Sequence, residues 1–385
     1  MINIQDRREC SGCTACASIC VHDAITMQAD AMGFKYPVVD SSKCVNCGLC
    51  EKVCAFNPDY DKSLNLPEPL AYGVRHKDMN EVATSRSGAA FIAISDWVLE
   101  HGGVVYGAGY TDHFRVVHKR ATTKEARNEF KGSKYVQSDM NDVFRQVKAD
   151  LKAGLKVLFS GTPCQVAGLA SFVGKKLREN LYLVDIVCHG VPAPNIWRDY
   201  LAYVEKKHND TAIAVDFRDK TEFGWAAHGE SISFVEGKKC FTLYSYLFSQ
   251  NIMFRPSCKN CYYTNLQRPA DITIADFWGW ENTGNEINKD NKGLSLVFRN
   301  NDRGVEVLKR VLNSLTLFPV HLKDCMQPNL KHPTVMHNNS GIFETDYLKF
   351  GFKYIATKYG NVGLSYRIKR LRQKAETLVR ILLKR

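Results

Sequence analysis

Fourteen of the 385 residues are cysteine, and eight of them form two matching runs. Cys10, Cys13, Cys16 and Cys20 are followed by Cys44, Cys47, Cys50 and Cys54, each 34 positions after its counterpart. Both runs read C-x2-C-x2-C-x3-C, the spacing with which bacterial-type ferredoxins carry two cubane clusters. Three thiolates two residues apart wrap one cluster in a tight turn, with Gly12, Ala15 and Gly48 letting the backbone come close. The fourth cysteine of each run serves the other cluster. One [4Fe–4S] cluster is therefore expected on Cys10, Cys13, Cys16 and Cys54, and another on Cys44, Cys47, Cys50 and Cys20. Each fourth cysteine is expected to start a short helix leading between the sites. Zinc, the competing metal, usually joins two C-x2-C pairs across a longer loop instead of chaining three cysteines. Val21 and Ala55 stand where proline usually follows the run, with Pro58 slightly later.

Four further cysteines carry chemistry of their own. Cys164 follows an apolar strand at Gly161-Thr162-Pro163, Cys188 ends another before His189-Gly190, and Cys258 and Cys261 form a C-x2-C pair. Two readings stay open. One is a pair of buried thiols beside a structural zinc half-site. The other is a single third [4Fe–4S] site, with Asp276 as an oxygen ligand in place of one thiolate. Cys240 and Cys325 read as packing residues.

The elements that must position these groups alternate. Ala24–Met27 and Phe34–Val39 read as short strands flanking the first runs. Asp61–Leu70 has two prolines and little apolar surface, and reads as a linker. Beyond it, strands at 71–75, 103–106, 157–160 and 181–187 alternate with helical patterns at 87–100 and after Cys164, which predicts an α/β body with a partly parallel sheet. Ligands of such sheets sit at the carboxyl ends of strands, where Cys164 and Cys188 fall. Hydrophobic residues make up 45% of the chain and charged residues 24%, as in ordinary globular proteins. With no apolar leader ahead of Cys10 and no long apolar run, the protein is expected in the cytoplasm, where structural disulfides are rare and metal best accounts for the cysteines.

The net charge is +12, but the last 28 residues carry nine Lys or Arg against one acid. Residues 1–60 hold seven acids and five bases. The basic character is thus local. From Leu364, apolar residues recur at Ile368, Leu371, Ala375, Leu378 and Leu382, which reads as a basic amphipathic helix. Such a helix packs on the body or a partner, or lies on an anionic membrane surface. No aromatic interleaving supports nucleic-acid binding.

From about residue 70 to 335 the chain resembles the coenzyme F-420 hydrogenase/dehydrogenase beta-subunit family. The matching strings are Ser85-Arg86-Ser87-Gly88, Lys131-Gly132-Ser133-Lys134-Tyr135-Val136, Phe159–Gln165, Asp185–Pro192, Phe217-Arg218-Asp219-Lys220 and Asp271–Gly279. Ala89 and Ala275 stand where relatives often have glycine, changes read as conservative in size. The resemblance implies an FAD-dependent iron–sulfur oxidoreductase. Members with a fused dicluster ferredoxin occur near surface-polysaccharide genes. It places FAD at Ser85, Ser87 and Gly88, before a helix N-terminus that suits pyrophosphate, and at Gly132, Ser133, Tyr135 and Thr162. Apart from the resemblance, an ordinary N-cap by Ser85 or Ser87 is the commoner explanation of the first string. No complete G-x-G-x-x-G follows a strand, so an NAD-type domain is unsupported. His189, with His332 and His337 behind it, is a candidate proton donor. Lys134 is a candidate catalytic cation, and Arg218 with Lys220 an anchor for an anionic substrate.

The expected organisation is an α+β ferredoxin-like dicluster domain at 1–60, a linker at 61–70, an α/β body with a mixed sheet at 71–345 and a basic helical tail at 346–385. The expected function is transfer of electrons from a low-potential donor, such as a ferredoxin or another redox subunit, through two or three [4Fe–4S] clusters to FAD and an unknown small-molecule substrate. The rival is a non-catalytic subunit that relays electrons to a partner protein.

Overall fold

The computed structural model describes residues 1–364 together with 366 and 368. The apolar stripe predicted from Leu364 onward therefore lies almost wholly outside the described residues.

Strands β1 (Ile25–Ala29) and β2 (Lys35–Val39) pair antiparallel, Ile25 opposite Val39, and carry the N-terminal unit. The main sheet contains β3 (Leu70–His76), β4 (Val104–Thr111), β5 (Arg115–Ala121), β6 (Val157–Gly161) and β7 (Leu181–Ile186). A small antiparallel sheet is made of β8 (Ala212–Asp216), β9 (Glu230–Phe234) and β10 (Gly237–Phe241). Strands β11 (Ile272–Asp276), β12 (Ser295–Arg299) and β13 (Leu315–Val320) complete the main sheet. Its order is β13-β3-β12-β11-β7-β6-β4-β5. The four central strands β11, β7, β6 and β4 run parallel, and the flanking ones are antiparallel. This is the mixed, partly parallel sheet expected of the sequence.

Strand alternation builds its two faces. Val104, Tyr106, Val157, Phe159, Leu181 and Leu183 meet the helices Val143–Lys152 and Pro163–Val173 on one side. Val105, Leu158 and Val184 meet Ala90–Glu100 and Asp302–Arg310 on the other. Near-continuous apolar strands follow from burial on both faces.

The N-terminal unit is fastened to the body along its length. Met32 and Phe34, at the β1–β2 turn, enter the same core as Trp197, Tyr200 and Phe254. Asn195 donates to the Met32 and Ala31 carbonyls at 3.1 and 3.0 Å. Arg145 donates to the Ala17, Ser18 and Cys20 carbonyls at the end of the helix Ala15–Ile19. Lys35 pairs with Asp139 at 2.6 Å. Residues 61–70 are mostly exposed, but Leu70 already belongs to β3. At the other end, the helix Ser340–Lys358 buries Phe343, Tyr347, Phe352 and Ile355 against the body. The tail predicted from residue 346 therefore starts inside a core-packed helix that turns at Gly351.

Candidate metal centre

The two N-terminal cysteine turns have the same backbone. Gly12 and Thr14 in the first, and Asn46 and Gly48 in the second, all have φ between 54° and 75°. This left-handed geometry at the second and fourth positions after the leading cysteine aims three sulfurs inward, and it suits glycine and asparagine. The short helices Ala15–Ile19 and Leu49–Lys52 begin within each turn and end before the fourth cysteine. Cys20 and Cys54 therefore close these helices and do not start them. The left-handed residue just after the second cysteine, Thr14 or Gly48, caps the helix there.

Each fourth cysteine lies near the other run. Cys20 lines one cavity with Cys44, Cys47 and Cys50. Cys54 lies in the electrostatic field of Cys10, Cys13 and Cys16. Burial pushes the bare Cys16 thiol up to about 12, and Cys13 also well above the usual thiol range. Thiolates are favoured there only when a cation compensates them.

The four body cysteines converge. Cys164, Cys188, Cys258 and Cys261 line a single cavity with Thr162, His189 and Arg255, and Ser11 and Phe56 of the N-terminal unit close it. Cys164 sits at the start of the helix Pro163–Val173, just beyond β6, and Cys188 lies just beyond β7. The first helical turn is locked by a buried chain of hydrogen bonds. His118 Nδ1 bonds Ser138 Oγ at 2.8 Å, and Gln165 Nε2 donates to the same oxygen at 2.9 Å. Gln165 Oε1 accepts from Thr162 N at 2.9 Å, and Thr162 Oγ1 lies 3.2 Å from Cys164 Sγ. Burial raises all four thiols, Cys258 to about 12 and Cys261 to about 11. Among the described residues, no three His, Cys, Asp or Glu side chains crowd a single point as one ion would require.

Body and N-terminal cysteines share a wall. Cys54, Cys164 and Cys261 pack on one apolar cluster of Phe56, Tyr60, Ala167 and Tyr263. Cys13 rests on Gly168 so closely that a Cβ there would fall 2.7 Å from its sulfur.

Asp276 is not a ligand of this cage. It lies at the end of β11, ion-paired with buried Arg218 and accepting from Trp225 Nε1 at 3.2 Å. A carboxylate held by a guanidinium has no reason to turn toward metal. Around this pair stand Arg86, Lys220, Trp278 and His228. Trp278 stacks on Trp225 at 4.7 Å and on His228 at 5.8 Å, and the Arg218 guanidinium lies 5.2 Å from its ring centre. Burial, then Arg218, lowers Arg86 to about 10; burial, then Arg86, lowers Lys220 to about 8. Burial holds His228 near 4. Arg86 and Trp278 lie inside strings that carry the family resemblance, whereas Trp225 and His228 have no signal that marks them in the sequence.

The remaining predicted residues divide. His189 lines the cysteine cavity, with Nε2 2.7 Å from Asn251 Oδ1. Tyr135 stacks on Phe248 at 4.1 Å, between the cavity and the Arg218 group. Lys134 is held within its own turn: its ammonium donates to the Glu129 and Lys131 carbonyls at 2.6 and 2.8 Å, and burial lowers it to about 7. Gly132 is an exposed turn residue at φ 77°, beside Ser133. Ser87 Oγ donates to the Leu294 carbonyl at 2.6 Å, and Gly88 N donates to Ser295 Oγ at 2.9 Å. A Cβ on Gly88 would collide with the Val74 carbonyl, so this glycine serves sheet packing. Ser85 ends the helix Met79–Thr84 with its hydroxyl buried and unpartnered among the described residues. Neither serine caps the next helix. Its cap is Ala89 at φ 61°, so alanine there is a conformational cost and not a neutral exchange. His332 is exposed. His337 lies beside Asn251, to whose carbonyl its backbone N–H donates. Cys325 is buried as expected, but Cys240 is exposed on β10 and packs nothing.

Residues 154–321 match the family model for the carboxy-terminal part of the coenzyme F420 hydrogenase/dehydrogenase beta subunit. Residues 9–57 match a 4Fe-4S dicluster domain, so the chain is an iron–sulfur protein of the electron-transfer type. No curated protein matches the chain. Among solved structures it is similar to a chain of the F420-reducing [NiFe] hydrogenase complex from Methanosarcina barkeri, at 17% identity and a TM-score of 0.47, covering 74% of this chain and 89% of that one. Among the described residues, no helix is long and apolar enough to cross a membrane.

Proposed function

We propose that this protein is an iron–sulfur flavoprotein oxidoreductase in which three [4Fe–4S] clusters in line serve FAD. The observation that carries this reading is the four-cysteine cage of the body, closed by Ser11 and Phe56 of the dicluster unit. Electrons enter at the outer cysteine set, where Cys47 is exposed and Val21, Val45 and Leu49 form an apolar rim for a redox partner. They pass to the Cys10–Cys54 set and then to the cage.

Flavin fits beyond the cage, at the carboxyl end of β11. Arg86, Arg218 and Lys220 bring three cations, and among the described residues Asp276 is ion-paired with Arg218 alone. The Nε atoms of Arg86 and Arg218 and the Ser85 hydroxyl are buried without partners among the described residues. An anionic pyrophosphate suits that surplus, and the Trp225–Trp278–His228 stack offers an aromatic platform. FAD, when bound, supplies the exchange between single electrons and hydride. The chain's part is to hold it by Arg86, Lys220 and Ser85, to keep the ring against Trp278, and to place His189 near the cage edge as a proton donor to a small-molecule substrate.

The test is flavin content after purification without oxygen, with R86M beside the wild type. About one FAD per chain, lost in R86M while the iron stays, supports the reading. Full iron with no flavin would contradict it and leave an electron relay between partner proteins.

A further inference from the structure

Arg255 is 1% exposed, yet no ion pair among the described residues includes it. Its Nε donates to the Cys10 carbonyl at 2.7 Å, Nη1 to Gln137 Oε1 at 2.9 Å and Nη2 to the Lys35 carbonyl at 2.9 Å. All three acceptors are neutral. The guanidinium lies over the Tyr36 ring at 4.3 Å, and Asp139, two residues from Gln137, is taken by Lys35 and Arg115. A buried cation with no carboxylate needs another anion. The candidates are at hand. Arg255 lines the body cage and lies in the electrostatic field of Cys164 and Cys258, while its Nε holds the carbonyl of Cys10, which belongs to the neighbouring set. Gly12 makes room for it, since a Cβ there would fall 2.8 Å from Nη1.

We infer that Arg255 is the shared counter-cation and positioning residue of the two inner clusters, an inference that rests on the three-cluster reading above. Reduction adds one negative charge to a thiolate-ligated cluster, and passing one electron from the Cys10 set to the cage removes that charge from one and adds it to the other, with no proton moved. A fixed positive charge between them stabilises the reduced form of each, and so raises both potentials above what they would be without it. The planar fork also ties the Cys10 turn to the cage loop, which a lysine cannot do at three acceptors.

The test is a redox titration of the clusters by EPR in anaerobically purified protein, with iron counted in every sample. R255M is expected to lower the reduced-to-oxidised ratio of both inner clusters about tenfold at fixed potential, about 59 mV for a one-electron couple. The outer cluster, on Cys20, Cys44, Cys47 and Cys50, is the internal reference and should not move. R255K should keep the potentials near those of the wild type. Q137E sets a carboxylate against Nη1, at the loss of the Gln137 bond to the Ser11 carbonyl, and should lower the inner potentials as R255M does. It decides the matter if R255M fails to load iron. Unchanged inner potentials in a fully loaded R255M, an equal fall in all three clusters, or the same fall in R255K would overturn the inference. A wild type with about eight irons would instead overturn the three-cluster reading itself.

Discussion

At the scale of single residues, environment decides what each group does. His118 is fully enclosed, stacked on Phe159, and holds Ser138 and the Ser160 carbonyl. Burial lowers it to about 4, whereas an unfolded chain titrates it near 6.5. The unfolded state therefore binds the extra proton first as pH falls, and the stability His118 contributes is lost between about pH 6.5 and 4. H118N should flatten that window in pH-dependent denaturation, by on the order of 3 kcal/mol at most; an unchanged slope would place the acid sensitivity elsewhere. Lys220 behaves oppositely for ligands. At about 8 it loses its charge just above neutrality, so the affinity for an anionic flavin should weaken from pH 7 to 9. K220R, always charged, should remove that loss in a flavin-binding titration. The cysteine spacing revealed the outer metal sites because all the information is local to two short turns. Asp276 misled for the opposite reason: its partner Arg218 is 58 residues away, and only folding makes them an ion pair.

At the scale of elements, two devices position the cage. Strands β6 and β7 are neighbours in register, Gly161 opposite Asp185, so Cys164 and Cys188 emerge side by side. That much follows from reading each as a strand end. The approach of Cys258 and Cys261, about a hundred positions later in the chain, does not, since no local pattern encodes which loop returns over a sheet. The second device is the helix Pro163–Val173, whose Gly168 receives Cys13. G168V puts branched carbons where the sulfur and Cβ of Cys13 now lie. It should force the dicluster unit off the body and destabilise the protein by about 1–3 kcal/mol. Chemical denaturation measures the cost, and faster hydrogen exchange at residues 10–16 would show where it falls. A variant as stable as the wild type, with that exchange unchanged, would mean the contact is loose. Ser87 and Gly88 show the limit of motif reading: the string resembles a phosphate turn, yet its backbone and hydroxyl are consumed by β3 and β12.

At the scale of the whole molecule, the fold class and the N-terminal sites were legible because periodicity and cysteine spacing are local signals. The joining of the two parts was not. Met32, Phe34, Arg145, Tyr263 and Arg255 look in the sequence like ordinary core or surface residues. Together they convert a linker-joined pair into one continuous arrangement of cysteines. The packing of the segment from residue 346 on the body was hidden for a related reason: Phe352 and Ile355 fill the core beside Tyr200, a partner far away in sequence. The central claim is that Cys164, Cys188, Cys258 and Cys261 hold a third cluster in series with two others. The most direct measurement is iron and acid-labile sulfide per chain in anaerobically purified wild type and in the double variant C258S/C261S. The account predicts about twelve irons in the wild type and about eight in the variant, with the two ferredoxin-type EPR signals retained. Equal iron in the two proteins, at about eight, would contradict it.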